Sequence, residues 1–299
     1  MYDIAIIGAG PAGLTAAIYA RRAEKSVLVI EKEGIGGQMA HSPRIENFPG
    51  YPVISGSELS CKLSEQAEAL GAIIEFDTVS DIKNNGNTKT LIGEYGEYEA
   101  KAVIIAAGAK HRTLGIVGEE DLNISYCAVC DGAFYKDKDI CVIGGGNSAM
   151  QEIVHLSDIC KSITVIQNLP HFTGEKRLED KILAMSNVTT VFNTVVEGFE
   201  SAEGQIYGLK VRNTVSGEKY TVTTEGVFVA IGHAPENQPF TSVCSLNESG
   251  YIKAEEKCLT ETEGVFVAGD CRTKDIRQIT TAAADGSVAA IAACRYLDK

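Results

Sequence analysis

With 299 residues, 44% hydrophobic and 22% charged, the chain has the balance of a folded globular protein and the length for about two domains. Its 27 Lys and Arg against 40 Asp and Glu give a net charge of −13, which argues against nucleic acid or an anionic membrane as a partner held by the overall field. No run approaches the ~20 apolar residues of a membrane helix, and Met1–Ala9 has no basic region ahead of its apolar run. The expectation is a soluble, cytoplasmic protein. In chain order, Asp3–Ile7 reads as an apolar strand that runs into Gly8-Ala9-Gly10-Pro11-Ala12-Gly13. Leu14–Arg22 follows as a helix and Ser26–Ile30 as a second strand, closed by Glu31. Polar, alternating residues from Thr78 to Glu99 read as hairpins, with Asn84-Asn85-Gly86 as a turn. Ala102–Ala107 is a further strand, ending at Gly108.

The opening grammar then recurs. Asp139–Ile143 is a strand, Gly144-Gly145-Gly146-Asn147-Ser148-Ala149 a glycine turn, Met150–Leu156 a helix and Ser162–Ile166 a strand. Gly10 to Glu31 and Gly146 to Gln167 are both 21 residues, so the same plan is used twice. Gly226–Ile231 and Gly264–Ala268 are two more strands ending at glycine, the latter in Gly269-Asp270, and the alanine-rich Thr280–Tyr296 is a helix. The fold class expected is α/β, with two Rossmann-like, three-layer ββα domains of nucleotide-binding type. The second is inserted in the first: residues 1–112 plus 243–299 form one domain and 113–242 the insert. The insert holds 9 basic against 17 acidic residues and so concentrates the negative charge.

Two motifs carry chemistry. A glycine-rich turn between strand and helix lets the backbone approach a pyrophosphate at the helix N-terminus. An acidic residue at the end of the second strand, here Glu31, is placed to accept from a ribose. The second motif is Cys127-Ala128-Val129-Cys130-Asp131. Two cysteines three apart can close a disulfide and exchange it with another dithiol, and the adjacent carboxylic acid can hand over a proton. Taken alone, the pair could also be half of a metal site, but no second pair or histidine cluster stands beside it. Nine cysteines in a long chain do not form a disulfide framework. Cys141 and Cys294 lie in apolar runs as small core residues, and His41, His111, His155, His171 and His233 read as scattered, with no metal spacing.

Together these segments resemble the low-molecular-weight thioredoxin reductase family of FAD flavoenzymes over essentially the whole chain. The matching pieces are Gly8–Gly13, Gly36–Met39, Ile45–Gly50, Ala106-Ala107-Gly108, Cys127–Asp131, Gly144–Ala149, Gly264–Asp270 and Arg277-Gln278-Ile279. The resemblance implies an FAD site lined by Gly8, Gly10, Pro11, Ala12, Gly13, Glu31, Gly37, Gln38, Asn47, Ala107, Gly108, Gly269, Asp270, Arg277, Gln278 and Ile279. Gly10 and Gly13 would face the pyrophosphate, Glu31 the adenosine ribose, Asp270 the ribityl-phosphate stretch, Gln38 and Asn47 the flavin side, and Gln278 and Ile279 the isoalloxazine. It implies catalysis by Cys130, exchanging electrons with the flavin, by Cys127, attacking the partner disulfide, and by Asp131 as the acid. It also implies a homodimer whose insert rotates to expose the cysteines.

One departure matters. Where the family's NADPH pattern has a histidine and two arginines, this chain has Gln167-Asn168-Leu169, and Thr173 replaces another arginine. Each charge-assisted arginine–phosphate contact is worth roughly 1.5–3 kcal/mol, and Gln167 offers no carboxylate to the ribose of NADH either. The expected function is therefore an FAD-dependent disulfide oxidoreductase that reduces thioredoxin or a thioredoxin-like protein with electrons from ferredoxin. An NADPH-dependent thioredoxin reductase is the alternative. A dithiol oxidase that forms a disulfide in a small molecule with oxygen as acceptor is a second, and a non-enzymatic flavin-binding regulator a third.

Overall fold

Side chains alternate across a strand, and the first strand shows what that does here. In β1 (Tyr2–Ile7), Ile4 and Ile6 enter one apolar cluster while Ala5 and Ile7 enter another on the opposite face. Val27 and Val29 against Leu28 and Ile30 repeat the division in β2 (Val27–Glu31), which is buried along its whole length, as parallel strands covered on both faces are. The parallel order runs β3 (Ile73–Phe76), β2, β1, β6 (Glu97–Ile105), and Val265–Val267 adds on β6. On the first face lie α1 (Pro11–Arg22) and the 19-residue α6 (Ile279–Leu297), whose buried residues are mostly alanine. The two helices approach closely enough that a Cβ on Gly286 would stand 2.1 Å from the Ala12 carbonyl oxygen. The other face is covered by a meander of β4 (Asp81–Asn84), β5 (Lys89–Ile92) and the first half of β6. Its first turn is the one expected at Asn84-Asn85-Gly86, with Gly86 at φ +77°. A helix that the sequence reading did not mark, α2 (Gly56–Ala69), is capped by Ser55, whose Oγ accepts from the Glu58 N–H at 3.2 Å.

The structure, a computed structural model, describes residues 1–42 and 44–299. It divides into two units, Met1–Lys110 with Ala234–Lys299, and His111–His233. The chain crosses between them through β7 (Lys110–His111) and returns through a strand at His233–Ala234 that pairs with β7. The return falls nine residues before the expected 242/243 boundary. Ala234–Ser242 belongs to the first unit: Asn237 Nδ2 donates to the carbonyls of Cys271 (2.8 Å) and Gly250 (2.9 Å), and Phe240 packs with Val243, Ile252 and Ile7.

The second unit repeats the layers. Its parallel sheet is ordered β11 (Val188–Val191), β10 (Ser162–Ile166), β9 (Asp139–Ile143), β15 (Gly226–Val229), β8 (Ile124–Ser125). Helices α4 (Asn147–Ser157) and α5 (Lys176–Leu183) cover one face. A three-stranded antiparallel sheet of β12 (Thr194–Ala202), β13 (Gln205–Asn213) and β14 (Lys219–Thr223) covers the other. Both units are therefore three-layer ββα domains. Cys141 and Cys294 are buried as expected, whereas two histidines read as scattered come together, His111 and His233 with ring centroids 4.7 Å apart. Among the described residues no helix is long and apolar enough to cross a membrane.

Candidate functional site

The first glycine turn is built by close approach. Gly8, at φ +102°, sits so near the end of β6 that a Cβ would meet the Ala106 carbonyl oxygen at 2.4 Å, and a Cβ on Gly13 would lie only 1.8 Å from the Gly8 carbonyl oxygen. Gly10 is extended and a Cβ there would point into open space. Pro11 opens α1, its fixed φ suiting the first turn, and that turn has no side-chain cap. Its N–H groups are left for an anion. Glu31 reaches back across the turn: Oε2 accepts from the Ala9 N–H at 2.7 Å, and Oε1 from those of Glu33 (2.8 Å) and Gly34 (3.2 Å). A carboxylate has about four acceptor sites, so one remains for a ribose hydroxyl.

The other residues expected to line the cofactor lie in the same unit. Gly37, at φ +55°, stands beside Gly10 and starts the short helix that carries Gln38. Asn47 Nδ2 donates to Gln278 Oε1 at 3.2 Å, and Gln278 caps α6 just before Ile279. Ala107 and Gly108 follow β6, and Gly108 is at φ +67°. Arg277 stacks on Tyr251 with its guanidinium carbon 4.2 Å from the ring centre, and it donates to the Asp270 carbonyl. Asp270 follows Gly269, and its Oδ1 is buried with no hydrogen-bond partner. Burial pushes its carboxyl up to about 6 against the pull of Lys274 and Arg277. An open glycine turn, an uncapped helix and a buried carboxylate oxygen without a partner are what an extended dinucleotide such as FAD would complete. The residues present fit FAD.

The second turn has the same backbone with a different cover. Gly144, at φ +132°, lies against the Ala230 carbonyl oxygen, 2.4 Å from a built Cβ. Gly146 is extended like Gly10. Over it, however, lies the chain's own loop. The Gln167 side chain packs on Gly145, where a Cβ would fall 2.5 Å from Nε2, and that nitrogen donates to the His171 carbonyl at 3.3 Å. The Thr173 N–H donates to the Gly145 carbonyl at 2.8 Å and the Glu175 N–H to Asn147 Oδ1 at 2.7 Å. No Lys or Arg occurs from Gln167 to Glu175. Glu152, on α4, has a buried Oε2 without a partner, and burial pushes its carboxyl up to about 7.

Cys127 and Cys130 are joined in a disulfide across the start of α3 (Ala128–Asp131). Asp131 lies one residue beyond, and burial pushes its carboxyl up in spite of a 2.7 Å hydrogen bond donated by Ser125 Oγ to Oδ2. The same Oγ accepts from the Cys127 N–H at 3.3 Å. Ser125 ties the acid to the cysteine pair and was not singled out from the sequence. Its only signal there is its place two residues before Cys127. A carboxyl whose proton affinity is raised by burial is suited to hand a proton to a departing thiolate.

A dinucleotide unit with a second, cysteine-bearing unit inserted in it defines a flavin-dependent disulfide oxidoreductase. The chain matches the pyridine nucleotide-disulphide oxidoreductase family over residues 2–286. It is 40% identical over 302 residues to the thioredoxin reductase of Bacillus subtilis (strain 168), spanning 100% of this chain and 96% of that protein. It is 42% identical to a 34.2 kDa protein in a rubredoxin operon of Clostridium pasteurianum, over 99% of this chain and 97% of that one. The crystal structure of thioredoxin reductase from Streptococcus pyogenes superposes with a TM-score of 0.94 at 40% identity, covering 100% and 98% of the two chains. The chain belongs to the thioredoxin reductase family, and its cofactor is FAD.

Proposed function

We propose that this flavoenzyme reduces the disulfide of thioredoxin or a thioredoxin-like protein and takes its electrons from ferredoxin rather than NADPH. The thioredoxin half of the reading is supported by relatives bearing that name at 40% identity along the full chain. One observation carries the donor half. Gln167 packs on the second glycine turn, the Thr173 N–H bonds to it, and the loop from Gln167 to Glu175 carries no Lys or Arg to hold a 2′-phosphate.

Bound FAD supplies a two-electron store that a one-electron carrier can fill in two deliveries. The chain's own residues do the rest. Two electrons and two protons open the Cys127–Cys130 disulfide. The Cys127 thiolate attacks one sulfur of the partner disulfide, and the partner's other sulfur leaves. The Cys130 thiolate then attacks Cys127, which releases the partner as a dithiol and restores the disulfide. Asp131, its proton affinity raised by burial and its Oδ2 accepting from Ser125, is the group placed to supply a proton to the leaving sulfur. The FAD contacts of Gly8, Gly10, Pro11, Ala12, Gly13, Glu31, Gly37, Gln38, Asn47, Ala107, Gly108, Gly269, Asp270, Arg277, Gln278 and Ile279 belong to this proposal, as do a homodimeric assembly and a cytoplasmic location. Seven free cysteines beside one redox pair suit a reducing compartment.

The test is anaerobic mixing of the oxidised enzyme with NADPH, NADH or reduced ferredoxin in turn, followed by flavin absorbance. Reduced ferredoxin bleaches the flavin and supports reduction of thioredoxin, while both nicotinamides leave it oxidised on the timescale of turnover. Bleaching by submillimolar NADPH within seconds returns the enzyme to the NADPH-dependent reading. Oxygen uptake driven by a small dithiol, with no thioredoxin turnover, identifies a dithiol oxidase instead.

A further inference from the structure

Beside Asp270 stands a second buried carboxylate that the mechanism does not use. Asp285, on α6, is 6% exposed and saturated with donors. Its Oδ2 accepts from the Gly269 N–H (3.0 Å), Arg272 Nε (2.9 Å) and Lys274 Nζ (2.9 Å), and its Oδ1 accepts from Arg272 Nη2 (2.8 Å). The pair with Arg272 is bidentate, the stronger geometry for such contacts. Arg272 is itself 2% exposed, and its other carboxylate neighbour, Glu256, is 3.8 Å away and almost wholly in solvent. Arg277 is occupied with Tyr251 and with the backbone carbonyls of Asp270 and Arg272. Three cations therefore surround Gly269–Asp270, yet Asp270 Oδ1 has no partner.

Buried cations close on whatever carboxylate is in reach, because an unpaired charge in a low dielectric is costly. Here Asp285 takes two of them, and the Gly269 N–H as well. We infer that Asp285 is a positioning residue for the cofactor: by holding Arg272, Lys274 and the Gly269 backbone, it keeps the Asp270 carboxylate free to accept a hydrogen bond from bound FAD. Without the Asp285 charge, Arg272 and Lys274 turn to Asp270 and convert a ligand acceptor into an ion-pair partner. The inference rests on Asp270 touching the cofactor, and the test separates that premise from the role of Asp285.

The groups acting electrostatically on Asp270 are Lys274, Arg277 and Arg272, which lower its proton affinity, and Asp285, which raises it; the neighbouring Cys271 thiol is influenced in turn. Their signs give opposite shifts to two variants. Apoprotein is titrated with FAD between pH 5 and 8, and free FAD is counted in an ultrafiltrate. In the wild type, affinity falls as pH drops through about 6 and Asp270 takes up a proton. Asp285→Asn weakens FAD by about tenfold or more at pH 7.5, the loss of one charge-assisted hydrogen bond, and moves the pH step downward. Lys274→Met moves the step upward. Asp270→Asn binds weakly with no step. If Asp285→Asn melts earlier but keeps wild-type affinity and pH profile, Asp285 is merely structural and the inference is wrong. Should Asp285→Asn fail to fold, the Lys274→Met titration decides alone, and an unmoved step overturns the inference. Wild-type binding by Asp270→Asn removes the premise, and the inference with it.

Discussion

The two glycine turns share a backbone and differ in what lies over them. Gly8 against Ala106 and Gly144 against Ala230 are the same close approach, and Gly10 and Gly146 are extended at the same place. Even the covering loop returns in the same way, the Gly36 N–H to the Ala9 carbonyl and the Thr173 N–H to the Gly145 carbonyl, both at 2.8 Å. In the first unit that loop uses glycines with positive φ, and Glu31 turns onto the backbone of the turn, so the space above Gly10 stays open. In the second, Gln167 and Thr173 put side chains over Gly145 and Gly146. Glycine at a strand-to-helix turn thus answers first to the sheet, whatever lies above it.

Five sets of variants test how far that comparison holds. The largest effect separates the units by function: Cys127→Ser and Cys130→Ser each abolish disulfide turnover while FAD stays bound, read by turnover with oxidised thioredoxin and by the flavin spectrum. Turnover surviving in either variant would take the pair out of the mechanism. Asp131→Asn slows the same reaction by roughly 10²–10⁴-fold, the usual contribution of a positioned general acid, and its pH–rate profile loses the corresponding limb.

The next pair strikes the turns directly. Gly10→Val fills the open space above the first turn and weakens FAD by about a hundredfold, a change of roughly 2.7 kcal/mol. Gly146→Val meets only Thr173 Oγ1 at 3.8 Å and leaves FAD content and ferredoxin-driven turnover unchanged. A loss of turnover in Gly146→Val would mean that the second turn receives a nucleotide after all. By contrast, Gly8→Ala and Gly144→Ala should cost alike, at least ~2 kcal/mol each by denaturant unfolding, because each puts a methyl group into a carbonyl from a positive-φ position.

The smallest effects concern the lone buried carboxyls, one in each unit. Asp270 is pushed up to about 6 and Glu152 to about 7, so each releases its proton later in the folded apoprotein than in the unfolded chain. The folded state then binds more protons, and stability falls as pH rises from about 4 to 6 for Asp270 and from about 4.5 to 7 for Glu152. Asp270→Asn and Glu152→Gln should raise the apoprotein's Tm at pH 8 and change it little at pH 4. The gain is at most about 3 kcal/mol each at roughly 1.4 kcal/mol per unit. An equal gain at both pH values would assign the effect to packing.

Elements with a strong period or a glycine stop were legible in the sequence: β1, β2, β9, β10, α1, α4 and α6 lie where the apolar runs put them. Residues of the cofactor and redox motifs were assigned through resemblance alone, and the departures at Gln167 and Thr173 show in the sequence as missing charge. What escaped was set by tertiary contacts. The helix α2 is mostly polar, with Leu59 and Leu63 its only large apolar residues, and the return crossing is fixed by Asn237 and Phe240 reaching core positions far along the chain. Ser125 and Asp285 look like ordinary polar residues until the fold brings the first to Asp131 and the second to Arg272. Hydrogen bonds between residues distant in sequence leave no local pattern to read.

The paired crossings at Lys110–His111 and His233–Ala234 also bear on how such a protein can be taken apart. Because the insert leaves and re-enters through neighbouring strands, its two ends are only about one strand spacing, roughly 5 Å, from each other. A gene lacking codons 111–233, with Lys110 joined to Ala234 by a short linker, would then encode a continuous chain with no gap to span. The excised piece could equally be closed on itself or exchanged for another cysteine-bearing module. The architecture is that of a cassette, open to recombination at a single seam.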